Sequence, residues 1–182
     1  QGRNPFRLSL DKVHPVIDIA LEDVYQKGLL PRDSIKPSYR NTNLSDALGP
    51  NVAIDALVQN KLDAIIGYAF VYALAPVARM SHYWNDVDST GIPVLTPSGN
   101  TGNLDNKDEY KLMTRISSPY KVVRGSVVNL FKQEKWRHVA YLFHDYRSTG
   151  GSSAMGIPVS ECFLLMASIR PALKPFVEDL DH

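Results

Sequence analysis

Histidine, cysteine, serine and the carboxylates are the side chains best suited to metal or nucleophilic chemistry, and in this chain their spacing points to neither. His14, His82, His138, His144 and His182 form no i, i+4 pair, so no single helix presents two imidazoles to one zinc ion. No Gly-x-Ser-x-Gly turn lifts a serine nucleophile above a sheet. The stretch Gly150-Gly151-Ser152-Ser153-Ala154-Met155-Gly156 approaches a phosphate-cradling loop, but its glycine spacing is wrong and no lysine follows to reach a phosphate. It reads as a surface loop. Asp and Glu fall mostly on polar helix faces, which yields no pair of catalytic carboxylates. The expectation is a chain that is not itself an enzyme and holds no metal.

Charge and hydropathy narrow the partners. With 20 Lys and Arg against 19 Asp and Glu, the net charge is +1, and no basic run is long enough to track a phosphate backbone. Nucleic acid is a poor candidate for the partner on that ground, and none is expected. A bilayer-spanning helix needs about 18 apolar residues, whereas the longest apolar stretch, Val71–Met80, is short and carries Pro76 and Arg79. Membrane attachment would require a segment absent here. Gln1–Leu10 lacks the apolar centre of a signal peptide. Cys162 stands alone and can form no internal disulfide, and Asn43-Leu44-Ser45 is the one glycosylation sequon.

The elements alternate in type. Asp11–Lys27 is expected to be a helix, with Val13, Val16, Ile17, Ala20, Leu21 and Val24 on one face and Gly28 as its stop. Ser34–Tyr39 suits a short edge strand despite Pro37. Val52–Leu62 is expected as a second helix with Ile54, Leu57 and Val58 inward, followed by a buried strand at Asp63–Gly67. Then come a helix at Val71–Trp84, strands at Ile92–Thr96 and Leu112–Ile116, and a helix at Tyr120–Glu134 with Val123, Val127, Leu130 and Phe131 on its face. A strand at His138–Phe143 and the start of a helix at Cys162–Arg170 complete the series. Strands alternating with helices of this length imply an α/β fold, a parallel sheet with helices on both faces.

Two long loops, Pro97–Lys111 and His144–Pro158, each follow an expected strand. Both therefore fall at the carboxyl edge of the sheet, where open α/β folds bind ligands. No strand precedes the first helix, and the chain stops soon after the last one begins. Both ends read as cuts through a larger domain.

Three collinear blocks carry a family resemblance. Val13-His14-Pro15-Val16-Ile17-Asp18-Ile19-Ala20-Leu21 resembles the opening helix of natriuretic peptide receptors and receptor guanylate cyclases. Tyr72-Ala73-Leu74-Ala75-Pro76-Val77-Ala78-Arg79, then Tyr83-Trp84 and Ile92-Pro93-Val94-Leu95, is similar to a Tyr-Ala-Ala-Ala-Pro-Val-x-Arg block at the same strand-to-helix junction. Asp108-Glu109-Tyr110, Leu112-Met113-Thr114-Arg115, Ser118-Pro119-Tyr120, Trp136, Tyr146-Arg147 and Cys162-Phe163 continue the match. The resemblance implies one lobe of a type I periplasmic-binding-protein-like fold across residues 1–182, lacking its first strand and most of the second lobe. It also implies an extracellular region of a single-pass plasma-membrane receptor that binds a peptide hormone or orphan ligand and forms a homodimer. A cytoplasmic guanylate cyclase would lie beyond this chain and signal through cGMP. The alternative is a solute-binding protein, or a glutamate-receptor-like amino-terminal domain, with a small-molecule ligand.

The resemblance also assigns positions one by one. Tyr72 and Arg79 match residues on the hormone-facing helix, and Tyr146 matches an aromatic residue of the peptide pocket. His144 stands where a second tyrosine would be. Phe163 and Met166 match apolar pocket positions beside the family cysteine, and the implied partner of Cys162 lies beyond His182. Vertebrate members carry a disulfide between a cysteine near Asn51 and one at Phe70, and this chain has neither. They also hold chloride on backbone amides of the turn occupied here by Gly67-Tyr68-Ala69-Phe70, which implies an anion at Ala69 and Phe70. Tyr68 and Ala69 replace the family's Pro and Gly there. Asn43 is the implied glycan site.

Overall fold

A computed structural model describes residues 9–43, 45–84, 90–143 and 161–179. Helix α1 spans Leu10–Gln26, close to its expected bounds. It ends at Gly28, whose φ of +65° lets the amides of Lys27, Gly28 and Leu29 turn back onto Asp23, Tyr25 and Val24 carbonyls. No residue of α1 is buried, and Val13, Val16 and Ile19 stand exposed. The stretch 34–39 is coil, not the edge strand expected. Pro37 offers no amide to a ladder, and the segment is tied to α1 instead. The Tyr25 hydroxyl accepts from the Ile35 amide at 3.3 Å and reaches the Ile35 carbonyl at 3.4 Å, while Tyr39 stacks on His14 at 3.6 Å.

Helix α2 runs Leu48–Val58, a turn earlier than its apolar spacing suggested. The reason is Ser45, whose hydroxyl accepts from the amides of Ala47 and Leu48 at 3.3 and 3.0 Å and nucleates the first turn. Pro50 is tolerated there because first-turn amides have no partner within the helix. Asn60, at φ +52°, ends the helix. The inward set is also corrected: Ala53 is buried and Leu57 packs on the core, but Ile54 and Val58 face outward.

Strands β1 (Ile65–Ile66), β2 (Val94–Thr96) and β3 (Met113–Arg115) form one parallel sheet in the order β1-β2-β3. Ile65 lies opposite Val94, and Val94 opposite Met113. Helix α3 (Val71–Met80) continues into a tight 3-10 turn, Ser81–Tyr83, and crosses between β1 and β2. Its Leu74, Val77 and Ala78 are completely buried against Val94, Met113, Leu104 and Tyr110. A fully buried leucine contributes about 2 kcal/mol by area removed from water, so Leu74 helps hold α3 on the sheet.

The remaining elements form a second unit. Helix α4 (Tyr120–Glu134), β4 (His138–Val139), α5 (Glu161–Leu173) and β5 (Glu178–Asp179) enclose a separate cluster of Ile169, Leu173 and Val177. Val127, Phe131 and Met166 pack onto it, whereas Val123 and Leu130 of the expected α4 face are exposed. β4 and β5 pair in parallel, His138 opposite Glu178. Parallel pairing with crossover helices is thus as expected, but the strands divide between two sheets. Alternation of elements reports connectivity and cannot reveal which sheet a strand joins.

Candidate functional site

Of the residues singled out by resemblance, Tyr72 and Arg79 lie on α3, Ala69 and Phe70 in the turn before it, and Cys162, Phe163 and Met166 in the first turns of α5. The turn is unusual. Gly67 has φ +140°, and Tyr68 is left-handed at +56°, a costly conformation for an aromatic residue. Tyr68 is held there by two contacts. Its hydroxyl donates to the Gly49 carbonyl at 2.6 Å, and its own carbonyl accepts from the buried Thr96 hydroxyl at 3.0 Å. Burial pushes the Tyr68 phenol up to about 12, so it stays a donor.

Tyr72 and Arg79 are seven residues apart, two helical turns, and both are exposed on α3. Arg79 is fixed rather than loose. Its Nε donates to Glu109 Oε1 at 2.5 Å, a second nitrogen donates to Tyr110 Oη at 2.9 Å, and the guanidinium carbon lies 5.5 Å from the Tyr110 ring centroid. The Glu109 bond, foremost among these contacts, holds Arg79 above its ordinary pKa. Tyr110 is almost wholly buried, so the exposed guanidinium is oriented from the core below it.

On α5, Cys162 is exposed and Phe163 is half-buried with its ring 6.5 Å from that of Phe143. Met166 packs into the second core. Glu161, the first residue of α5, joins the two units. Its Oε1 accepts from the Val71 amide at 3.0 Å and its Oε2 from the Tyr120 hydroxyl at 2.7 Å. Leu164, one turn on, packs against the first core. Burial, followed by the bond to Glu161, raises the Tyr120 phenol far above its ordinary value.

Other expectations are placed as follows. His144 and Tyr146 lie outside the described residues, as does the loop 144–158. Asn43 is exposed at φ +49°. Asn51 is exposed and Phe70 is buried. The loop 97–111 is built into the first unit. Arg115 donates to the Gly99 and Thr101 carbonyls at 3.0 Å each and pairs with Asp105, which also pairs with Lys121 at 3.0 Å. Among the described residues, no three His, Cys, Asp or Glu side chains cluster as metal ligands. No helix there is long and apolar enough to cross a membrane.

The sequence marked Glu109, Tyr110 and Tyr120 only as part of a resembling block, and it gave none of them, nor Glu161, a role at the site. An acid in a first helical turn is a legible signal, but its service to another helix, 90 residues away in sequence, is not.

The family described as receptor family ligand binding region matches residues 12–155. Receptor-type guanylate cyclase gcy-28 of Caenorhabditis elegans is 27% identical over 190 residues, covering 91% of this chain and 15% of that protein. Atrial natriuretic peptide receptor 3 of Homo sapiens is 28% identical over 153 residues, covering 77% of this chain and 26% of that protein. The chain therefore spans about a quarter or less of these relatives. An ABC transporter substrate-binding protein from Desulfitobacterium hafniense superposes with a TM-score of 0.71 over 98% of this chain and 47% of its own. At 13% identity that likeness shows a periplasmic-binding-protein-like fold and nothing further.

Proposed function

This chain belongs to the receptor family ligand binding region family, and from that premise we propose that it binds a peptide ligand on the extracellular side of the plasma membrane and acts as a homodimer. The intact protein, on this reading, is a single-pass receptor of the natriuretic peptide receptor and guanylate cyclase type that signals through cGMP. The relatives named above support the receptor class.

One observation carries the site. Tyr72 and Arg79 share an exposed face of α3, and Arg79 is pre-oriented by Glu109 and the buried Tyr110. A guanidinium fork held in place loses little freedom when it meets a carboxylate or a backbone carbonyl. Arg and Tyr are also the residue types that concentrate binding energy at interfaces. The resemblance adds Phe163, Met166, His144 and Tyr146 to the proposed ligand contacts, and a glycan on Asn43 fits the extracellular setting.

The test uses the intact ectodomain, titrated with a labelled natriuretic peptide and sized by analytical ultracentrifugation. Tyr72→Ala and Arg79→Ala should each weaken peptide binding or dimerisation roughly 5- to 150-fold, equivalent to about 1–3 kcal/mol. Unchanged affinity per folded molecule in both variants refutes the site.

A further inference from the structure

The amino end of α3 already carries an anion of its own. Helix amino termini present unpaired amides and partial positive charge, which together favour a negative group. At α3 that group is the Glu161 carboxylate, 3.0 Å from the Val71 amide through Oε1. Its second oxygen is taken by the Tyr120 hydroxyl at 2.7 Å. Both oxygens therefore have donors, and the side chain is half-buried where α3, α4 and α5 meet.

The resemblance implies chloride on the amides of Ala69 and Phe70, immediately before Val71. The residues present do not suit it. A carboxylate fixed on the Val71 amide repels a second anion on the amides just before it, and partial burial strengthens that repulsion relative to water. The turn is also filled differently: Tyr68 adopts a left-handed conformation and is bolted to Gly49 and Thr96, and Phe70 is buried. A tethered carboxylate, furthermore, loses less freedom on docking than an ion drawn from solution.

We propose that the Glu161 carboxylate is the resident anion of the α3 amino terminus, joining the two units of the fold and making this region independent of chloride. The inference stands on the Glu161 geometry and does not require the peptide-binding reading, so its test reads folding rather than ligand affinity. The Tyr120 phenol, held protonated by burial, is a constant donor to this carboxylate.

The intact ectodomain is melted in sodium chloride and in sodium gluconate at about 0.15 M. Wild type should melt at the same temperature in both salts. Glu161→Gln and Glu161→Ala should melt a few degrees lower in gluconate, with chloride or bromide recovering part of the loss. Tyr120→Phe, which removes one donor and keeps the carboxylate, should lose a smaller amount and remain insensitive to halide. The proposal is overturned if wild type is stabilised by chloride over gluconate. It is equally overturned if Glu161→Ala melts at the wild-type temperature in both salts. Should the Glu161 variants fail to fold, the wild-type comparison and Tyr120→Phe still decide it, because halide sensitivity in either rejects the proposal.

Discussion

Arg79 and Tyr110 meet in two ways: the guanidinium donates to Tyr110 Oη at 2.9 Å, and its carbon lies 5.5 Å from the same ring's centroid. The ring is buried with Leu74, Val77 and Met113, while the arginine is about half exposed. A core residue thereby orients a surface charge. Two roles for Arg79, support and recognition, are superimposed at one position and make separable predictions.

Arg79→Ala should lower stability by about 1 kcal/mol, since exposed ion pairs and cation–π contacts are each worth that much or less. Tyr72, 46% exposed, should leave the melting temperature unchanged when replaced by alanine. Both variants should weaken peptide or dimer affinity. Thermal melting alongside ultracentrifugation separates the effects. A loss confined to stability would make Arg79 purely structural.

Gly99 is a second sensitive point. Its φ is +73°, and an added Cβ would lie 2.5 Å from Leu74 Cδ2 and 3.3 Å from Leu104 Cδ1, both on buried side chains. Gly99→Ala should cost about 2–4 kcal/mol from backbone strain and overpacking together. Gly102→Ala, whose Cβ meets nothing within 4 Å, should stay within about 0.5 kcal/mol of wild type. Denaturant midpoints of the two variants check the contrast.

Acid should loosen the 97–111 loop through Asp105. Hydrogen bonds from Arg115 first, then Lys121, hold the Asp105 carboxyl below its ordinary value of 3.8. A depressed folded pKa stabilises the fold above the unfolded value and loses that contribution as pH falls through the folded one. Asp105→Asn should therefore melt below wild type by a constant margin above about pH 5. The margin should shrink as pH drops below the ordinary carboxylate range. Melting from acid to neutral pH measures it, and a margin that grows toward acid would reverse the assignment.

Cys162 is exposed on the first turn of α5. If the proposed receptor reading holds, Cys162 is oxidised to the partner cysteine that the resemblance implies, a bridge worth about 2–4 kcal/mol. Peptide mapping of the full-length protein without reduction tests the pairing, and an alkylatable Cys162 there would remove it.

By itself the sequence determined the kinds of element and their order. Apolar residues at helical spacing in 13–24 and 71–78, and short apolar runs before glycine or proline, depend only on backbone period and local sterics. Three collinear blocks determined the family for the same reason that any aligned residue order does. Burial was less legible. Ile54, Val58, Val123 and Leu130 satisfy helical periodicity yet face outward, because which side of a helix is covered depends on what packs there. The division of strands between two sheets, the anchoring of Arg79 by Tyr110 and the arrival of Glu161 at the amide of Val71 were decided only by tertiary structure. Each joins groups far apart in the chain, and a hydrogen bond across 90 residues leaves no trace in local spacing.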